Sequence, residues 1–320
     1  MLLQAMAGLT GTCNAAEPDE VPLVEETSVR FANVKEGGAA LTAKDAFVEA
    51  LSRFDLQARL RMSEEVTIEA WQKFAAGEVK EWKERERKVV SESVARLRER
   101  LGRYRLPLPK TILFIHTTGR EEADAAYTRG TAVVLPDKVL AYPPSQLDRL
   151  IVHELFHVLS RHHSALRKEL YAIIGFETME PISLPPSLAD RKITNPDAPL
   201  IDCYIELTDG GQKYVAAPVL YSSAKQYDAT RGGSLFSYLT FRLMVLERRV
   251  DHWQPVLRDG QAVVIDPKGL PAFFEKIGRN TNYIIHPDEI LADNFVQLVM
   301  GNENLKTPRI VEEMARVLVR

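Results

Sequence analysis

The sequence predicts an α+β fold, with a small mixed sheet, a buried central helix and a mainly helical C-terminal part. Short extended runs at 111–116 and 125–135 predict the sheet, and helical periodicity on both sides of them predicts the helices. The 320 residues, of which 45% are hydrophobic, suffice for a sizeable core and for about two domains.

The composition excludes several classes of protein. Lysine and arginine number 41 against 44 aspartates and glutamates, so the net charge of -3 leaves no basic surplus for a nucleic-acid partner. No apolar run approaches the roughly 18 residues that a membrane span requires, so we expect no span. The two cysteines, Cys13 and Cys203, are too few for a disulfide scaffold or a cysteine-rich zinc finger. Any metal site must therefore use histidines and carboxylates.

Residues 1–20 have the order of an export signal without its basic start. An apolar and small-residue stretch, 2–12, precedes small residues at 13–16 and then an acidic run. We therefore expect an exported protein, periplasmic or secreted; the alternative is a disordered N-terminus on a cytoplasmic protein. Removal of such a signal would leave Cys203 without a disulfide partner.

The rest of the chain divides into three predicted regions. Residues 21–175 hold an N-terminal helical part and a subdomain with the central helix, 176–270 form an inserted α/β segment, and 271–320 form a helical C-terminal subdomain. Predicted helices cover 43–101, 146–161 with Ser145 as N-cap, 165–174, 235–250, 272–277, 288–300 and 308–319. Predicted strands flank turns at 209–211 and 259–260, and the proline-rich segment 179–199 is predicted to be an irregular connection.

The predicted helix 146–161 contains the motif His153-Glu154-Leu155-Phe156-His157. Its i,i+4 spacing puts both imidazoles on one face, about one turn apart, which suits two ligands of one tetrahedral zinc ion. Glu154 lies beside them, where its carboxylate can accept a proton from water. The flanking residues are uncharged and apolar, so the helix is buried and unsatisfied histidines there would be costly. The motif predicts a zinc site with Glu154 as general base.

A third protein ligand is expected downstream, and Glu289 is the favoured candidate. Pro287 and the acids that follow it are typical of the first turn of a helix. Asp293, four residues on, shares the face of Glu289 and can orient a ligand imidazole. The small Ala292 permits close approach to the helix that carries the motif.

Two other candidates for the third ligand stay open. Glu247, with Asp251 four residues on, repeats the spacing, but bulky arginines intervene and an ordinary helix end is the simpler interpretation. His163 matches the third histidine of an HExxHxxGxxH pattern, but Ser160 stands where that pattern has the glycine that turns the chain. The sequence favours Glu289 without excluding the others.

These residues resemble the gluzincins, the metallopeptidase group typified by thermolysin, whose members pair HExxH with a downstream Glu-x-x-(Ala/Ser)-Asp helix. Residues 153–157 match the first motif, and 289–293 match the second. The resemblance covers about 110–165 and 280–300, and the segment between the two motifs is far longer than in thermolysin-like enzymes. We interpret that length as an inserted subdomain.

The resemblance implies a zincin-like fold and roles for further residues. Asp293 would hold His153, and Asp288 would hold His157. An edge strand before the motif helix, expected within 127–135, would pair with an extended substrate.

Gluzincins usually add a tyrosine or histidine that stabilises the oxyanion, and no such residue follows Asp293 in this chain. Tyr283 and His286, just before the helix of Glu289, are the preferred candidates for this catalytic role. Three further candidates lie in the insert: Tyr221, Tyr227 and His252.

The sequence predicts a zinc-dependent metallopeptidase, a hydrolase with one zinc ion that acts on a peptide or protein substrate. Its metal ligands would be His153, His157 and Glu289, with Glu154 as general base. The alternative is a catalytically inactive zinc-binding protein on the same fold, with an interaction or regulatory role. A third interpretation keeps the zinc hydrolase but changes the bond, for instance to cell-wall amides.

Overall fold

The computed structural model describes residues 20–319, so all but the last residue of the predicted export signal lies outside the described part. The described chain is an α+β structure, which confirms the predicted class. The strands are β1 (Glu20–Val24), β2 (Thr27–Phe31), β3 (Thr111–Thr117), β4 (Tyr127–Arg129), β5 (Ala132–Pro136), β6 (Phe176–Thr178), β7 (Cys203–Asp209), β8 (Gln212–Ser222), β9 (Leu239–Arg249), β10 (His252–Pro255), β11 (Leu257–Arg258), β12 (Gln261–Ala262) and β13 (Val264–Ile265).

Helices account for most of the remaining structure. The α-helices are α1 (Val34–Thr42), α2 (Ala46–Ala50), α3 (Arg53–Leu60), α4 (Ile68–Gly77), α5 (Glu84–Leu101), α6 (Pro144–His162), α7 (Ser164–Ile173), α8 (Pro186–Ala189), α9 (Pro271–Ile277), α10 (Pro287–Met300) and α11 (Pro308–Val319). Short 3-10 helices lie at Arg120–Glu122, Val139–Ala141, Leu235–Tyr238 and Pro267–Gly269. Within the described residues, no helix combines the length and the hydrophobicity that crossing a membrane requires.

The first sheet is mixed, with the spatial order β1-β2-β3-β5-β4. Strands β2, β3 and β5 are parallel, whereas the outer strands β1 and β4 are antiparallel to their neighbours. Alternate residues of β3 enter different cores: Ile112 and Phe114 pack with α5 and α6, and Ile115 packs with Leu41 of α1. The centre of the sheet is therefore covered on both faces, and β4 is left at one edge.

The predicted extended stretch 125–135 is a hairpin rather than one strand. Gly130 has φ 57° in the turn between β4 and β5, a conformation that glycine adopts without strain. Tyr127 pairs with Val134 and Arg129 pairs with Ala132. The edge strand of the sheet is therefore the three-residue β4, whose outer side is free of any strand partner in the sheet.

Helix α6 runs beside this edge and packs along α10. It begins at Pro144, where the lack of an amide hydrogen is tolerated, so the predicted N-cap Ser145 lies inside the first turn instead. Apolar residues on more than one face bury the helix, and its Phe156 contacts Phe295 of α10 with ring centroids 5.7 Å apart. Helix α10 begins at Pro287, one residue before the predicted range 288–300, and its first turn holds the proline and the acids as expected. Each of the two helices therefore begins at a proline.

The second sheet is antiparallel and lies within the predicted insert. Its order is β10-β9-β8-β7-β6, with β13 paired to β9. The predicted helix at 235–250 is wrong, because Leu239–Arg249 is strand β9, paired to β8 and β10. Leu243 packs into the main core and Met244 into a separate cluster on the opposite face, so both faces of the strand are covered. A strand covered on both faces is as uniformly apolar as a buried helix, and periodicity cannot separate them.

Candidate metal centre

Two imidazoles and one carboxylate converge between α6 and α10. The rings of His153 and His157 lie one turn apart on α6, with centroids 4.8 Å from each other. Oε2 of Glu289, on α10, lies 3.1 Å from Nε2 of His153 and 3.4 Å from Nε2 of His157. One ligand atom from each of the three residues falls within 4.8 Å of the other two. This is the spacing of atoms that can share one metal ion.

The other nitrogen of each ring is held by a carboxylate on α10. Nδ1 of His153 lies 3.1 Å from Asp293, and Nδ1 of His157 lies 2.7 Å from Asp288. Asp288 also accepts hydrogen bonds from Ser160 and Tyr171. These contacts fix the orientation of both rings and turn both Nε2 atoms toward Glu289, as carboxylates commonly do for metal-binding histidines.

Two buried polar atoms at this point have no hydrogen-bond partner among the described residues. They are Nε2 of His157 and Oε2 of Glu154. The contact of Nε2 of His157 with Glu289, at 3.4 Å, does not form a hydrogen bond. Leaving such atoms unpaired inside a protein costs free energy of the order of 1–3 kcal/mol each. Nε2 of His157 faces Glu289, and Glu154 lines the cleft with a carboxylate oxygen within 4.8 Å of a ring nitrogen of His157. The residues therefore fit a divalent metal ion, which would satisfy the nitrogen.

Burial and neighbouring charged groups shift the pKa values of the titratable residues around the centre. Burial and the nearby Asp197 carboxylate raise the pKa of Glu154 to about 8. For His153, burial opposes the charged form, but hydrogen bonds to Asp293 and Glu289 raise its pKa to about 10. Burial also opposes ionisation of Glu289, yet the imidazoles lower its pKa well below the usual value. Glu289 is thus a carboxylate, and Glu154 is a group suited to taking up and releasing a proton near neutral pH.

A cleft of about 540 Å³ opens from the centre to the surface. Its lining includes Ala125 and Ala126 before β4, Arg149 on α6, and Tyr283. The ring of Tyr283 stacks on His153 with centroids 6.3 Å apart, and the residue is 41% exposed. The Glu289 carboxylate raises the pKa of its hydroxyl, which therefore stays protonated.

The structure does not bring the predicted candidate His286 into the cleft. Its Nδ1 accepts a hydrogen bond from the amide of Asp288 and caps α10, and its Nε2 faces the buried thiol of Cys203 at 3.6 Å. Burial lowers its pKa to about 4, so the ring is neutral. Of the two preferred candidates for stabilising an oxyanion, only Tyr283 lines the cleft.

The alternative ligands also lie elsewhere. His163 is exposed at the end of α6 and caps α7 through its Nδ1. Glu247 is in β9, hydrogen-bonded to Gln254 and Arg249, and Asp251 is exposed in the next turn. The remaining oxyanion candidates do not line the cleft either: Tyr221 lies in β8, Tyr227 is buried in a separate cluster, and His252 is exposed in β10.

Two residues of the insert that reach the centre, Asn195 and Asp197, lie in a segment whose sequence predicts only an irregular loop. Nδ2 of Asn195 donates to Oε1 of Glu289 at 2.6 Å. Asp197 brings a carboxylate oxygen within 4.8 Å of ligand atoms of both His157 and Glu154. Polar residues in an irregular connection are the only signal that marks them, and such residues are common in loops.

Other clusters of metal-ligating residues are already satisfied. Asp202, Cys203 and His286 lie together, but both oxygens of Asp202 accept from Arg167 at 2.8 and 2.9 Å. A second group includes His116 and Asp137, where Asp137 also forms an ion pair with Lys80. Neither group has an unpaired buried atom, unlike the centre between α6 and α10.

Comparisons with known proteins give no family for this chain, so the chemistry is inferred from the geometry. A scan against protein-family models and searches of curated proteins and of solved structures find no match for this chain. Within the described residues, the α6–α10 centre joins three metal-ligand atoms, an adjacent proton acceptor and an open cleft. That combination is suited to hydrolytic chemistry on a bound substrate.

Proposed function

We propose that this protein is a zinc-dependent metallopeptidase of the gluzincin type. The observation that carries the proposal is the convergence of His153, His157 and Glu289, with the unpaired carboxylate oxygen of Glu154 beside them. A chance matching of the two sequence motifs does not require their side chains to meet. Their meeting across the α6–α10 interface supports the resemblance on which the proposal draws.

Zinc is the ion that this donor set favours. Two imidazole nitrogens and one carboxylate oxygen are typical of catalytic zinc sites, which keep a fourth position open for water or substrate. When bound, zinc acts as a Lewis acid that polarises a carbonyl group and makes water a stronger nucleophile. The contacts of Asp293 and Asp288 with the two rings hold the ligands ready for it.

Residues around the centre provide the rest of the proposed chemistry. Glu154 takes a proton from water as it attacks the peptide carbonyl and passes that proton to the departing amine. Tyr283, protonated and at the mouth of the cleft, donates a hydrogen bond to the developing oxyanion. The mixed sheet with the short edge strand β4 beside α6 is consistent with a zincin-like fold.

Metal analysis and peptide hydrolysis test the proposal together. We expect one zinc per chain and cleavage within a broad peptide library. Glu154→Gln should retain zinc and lose at least roughly 100-fold in rate, since a positioned general base contributes about 10²–10⁴-fold. Glu169→Gln, on the exposed face of α7, is the matched control and should behave as wild type. Full activity in Glu154→Gln would contradict the role of the base.

A second candidate function rests on Asp197. Its carboxylate forms a second group of possible metal ligands with His157 and Glu154. If that carboxylate also joined the ion, four protein ligands would close the zinc site, and such sites are structural rather than catalytic. The protein would then be a zinc-stabilised binding or regulatory protein. Zinc-loaded protein that cleaves no member of a peptide library, together with weakened zinc binding in Asp197→Asn, would favour this candidate over the peptidase.

A further inference from the structure

A segment of the insert, residues 194–197, crosses one end of the cleft; we call it the strap. The backbone amide and the hydroxyl of Thr128 donate to Oδ1 of Asp197 at 2.7 and 2.6 Å. Thr128 is the middle residue of the edge strand β4. An outward amide that an extended substrate would use for pairing is therefore already occupied by the strap.

The strap is also joined to both helices of the centre. Arg161 of α6 donates to the carbonyl oxygens of Pro196 and Asp197 at 3.3 and 2.9 Å. Asn195 donates to Glu289 of α10. The strap thus spans the groove from the edge strand and α6 to α10.

Buried charges anchor the start of the strap. The amide of Thr194 donates to Asp55 at 3.0 Å, and its carbonyl oxygen accepts from Arg59 at 2.9 Å. Asp55 and Arg59 are almost fully buried and form an ion pair with each other. Detaching the strap would leave these charges with fewer partners, so the strap acts as a fixed wall of the cleft rather than as a lid.

The wall separates the cleft from a smaller cavity of about 140 Å³ on its far side. The smaller cavity is lined by Arg161 and Tyr171, among others, and Asp197 is the one residue that lines both. Another cavity, of about 40 Å³, adjoins the cleft beside the strap and shares Ala125 and Tyr283 with it. That cavity is too small for further residues of a peptide, so a substrate that reaches Asp197 fits best with a chain end at the strap.

The charge at the wall selects which chain end fits. Besides Glu154, the cleft is lined by four acidic side chains, against one arginine and the two positive charges of a divalent ion; the acids are Asp124, Asp197, Glu289 and Asp293, and the arginine is Arg149. The remaining negative potential attracts an ammonium group and repels a C-terminal carboxylate. Oδ1 of Asp197 is held by Thr128, and no described side chain donates to its other oxygen, Oδ2.

We infer that Asp197 binds the free α-amino group of the substrate and that the protein is an aminopeptidase that removes one residue at a time. This inference rests on the proposed function. In a peptide, the α-nitrogen and the carbonyl carbon of the same residue are separated by two bonds, about 2.5 Å. Because Asp197 lies within 4.8 Å of His157, an amine held by Asp197 puts the first carbonyl group at the centre.

The reaction is hydrolysis of the first peptide bond. The oxygen of water bonds to the carbonyl carbon, the carbon–nitrogen bond breaks, and the departing nitrogen takes up the proton that Glu154 received from water. The products are one free amino acid and a peptide shortened by one residue. No oxidant, reductant or further co-reactant is needed.

The test uses one peptide with a free N-terminus and the same peptide with an acetylated N-terminus. Zinc-loaded wild type should release only the first residue of the free peptide and cleave the acetylated peptide at least tenfold more slowly. Calorimetry on zinc-loaded Glu154→Gln adds a readout without turnover, and the free peptide should bind at least tenfold more tightly. Asp197→Asn should lose both preferences, whereas Asp251→Asn, in an exposed turn of the same insert, should keep them.

The outcomes separate the inference from the proposed function. Internal cleavage, or equal cleavage and binding of the two peptides, overturns the aminopeptidase and leaves the zinc peptidase standing. If zinc-loaded protein cleaves neither peptide, the proposed function is contradicted. If the free and the acetylated peptide then also bind equally to zinc-loaded Glu154→Gln, the inference is contradicted as well. Weakened zinc binding in Asp197→Asn would identify Asp197 as a metal ligand and overturn its role at the amine. If Asp197→Asn does not fold, the comparison of the two peptides on wild type still shows whether the protein requires a free N-terminus.

Discussion

Two buried clusters of charged residues differ in whether every buried polar group has a partner within the protein. Around Arg59, the guanidinium donates to Asp55, to both oxygens of Glu122 and to the carbonyl oxygen of Thr194. The oxygens of Asp55 are also used by Ser52 and Thr194. Each charged group of this cluster is paired within the protein, and the cluster joins α3 to the insert.

In the cluster between α6 and α10, some buried polar atoms have no partner within the described chain. We call it the incomplete cluster, and the cluster around Arg59 the complete cluster. Its outer contacts, from His153 to Asp293 at 3.1 Å and from His157 to Asp288 at 2.7 Å, are hydrogen bonds like those around Arg59. Its inner atoms, Nε2 of His157 and Oε2 of Glu154, have no partner among the described residues. A buried cluster that satisfies itself stabilises the fold, whereas one that leaves atoms unpaired toward a cleft is arranged for a ligand.

Breaking the complete cluster should have the largest effect on stability. Arg59→Met leaves Glu122 and Asp55 buried without their cation, which should lower the free energy of unfolding by about 3–5 kcal/mol. Urea unfolding of zinc-free protein measures this loss. Arg53→Met, at an exposed position of the same helix, is the control and should change stability by less than about 1 kcal/mol. A small loss in Arg59→Met would show that the cluster does not hold the insert.

Glu121 offers an intermediate case, buried with one oxygen paired to Thr117 and the other unpaired. Burial raises its pKa to about 7. Because the folded pKa exceeds the unfolded one, the stabilising contribution is complete at low pH and is lost as the pH rises through about 7. Glu121→Gln, which mimics the neutral acid, should match wild type near pH 4.5 and be more stable near pH 8.5 by about 2–3 kcal/mol. A stability difference that is the same at both pH values would contradict this.

Weakening the outer contacts of the incomplete cluster should reduce zinc affinity more than stability. Asp293→Asn keeps the shape of the side chain but removes the charge that holds His153. Loss of such a partner typically lowers metal affinity 10–100-fold, or about 1.4–2.7 kcal/mol. Competition with a zinc chelator gives the affinity, and Asp251→Asn should leave it unchanged. Unchanged affinity in Asp293→Asn would mean that the contact does not serve the metal.

The sequence could predict the parts of the site that local periodicity encodes. Helix α6 with His153 and His157 follows from i,i+4 spacing and apolar periodicity, and helix α10 with Glu289 follows from Pro287 and the acids of its first turn. The pairing of the two helices rests on the search for a third ligand and on the family resemblance, because nothing local specifies which distant helix a motif will face.

Other parts could not be predicted, for physical reasons. Asp197 reaches the centre through contacts with Thr128 and Arg161, which are distant in sequence and leave no periodic signal. The position of His286 just before Glu289 predicts a place at the centre, yet a residue at that position caps the helix, and its ring points elsewhere. The sequence of strand β9 predicts a helix because a strand covered on both faces is uniformly apolar.

Zinc binding by Glu289→Ala, compared with Glu247→Ala, tests the central claim most directly. Both glutamates have an aspartate four residues on, but only Glu289 meets the two imidazoles. Metal analysis and chelator competition should give one tightly bound zinc per chain in wild type and in Glu247→Ala. Glu289→Ala should lose at least 100-fold in zinc affinity, about 2.7 kcal/mol. One zinc per folded chain bound with wild-type affinity by Glu289→Ala would contradict the account.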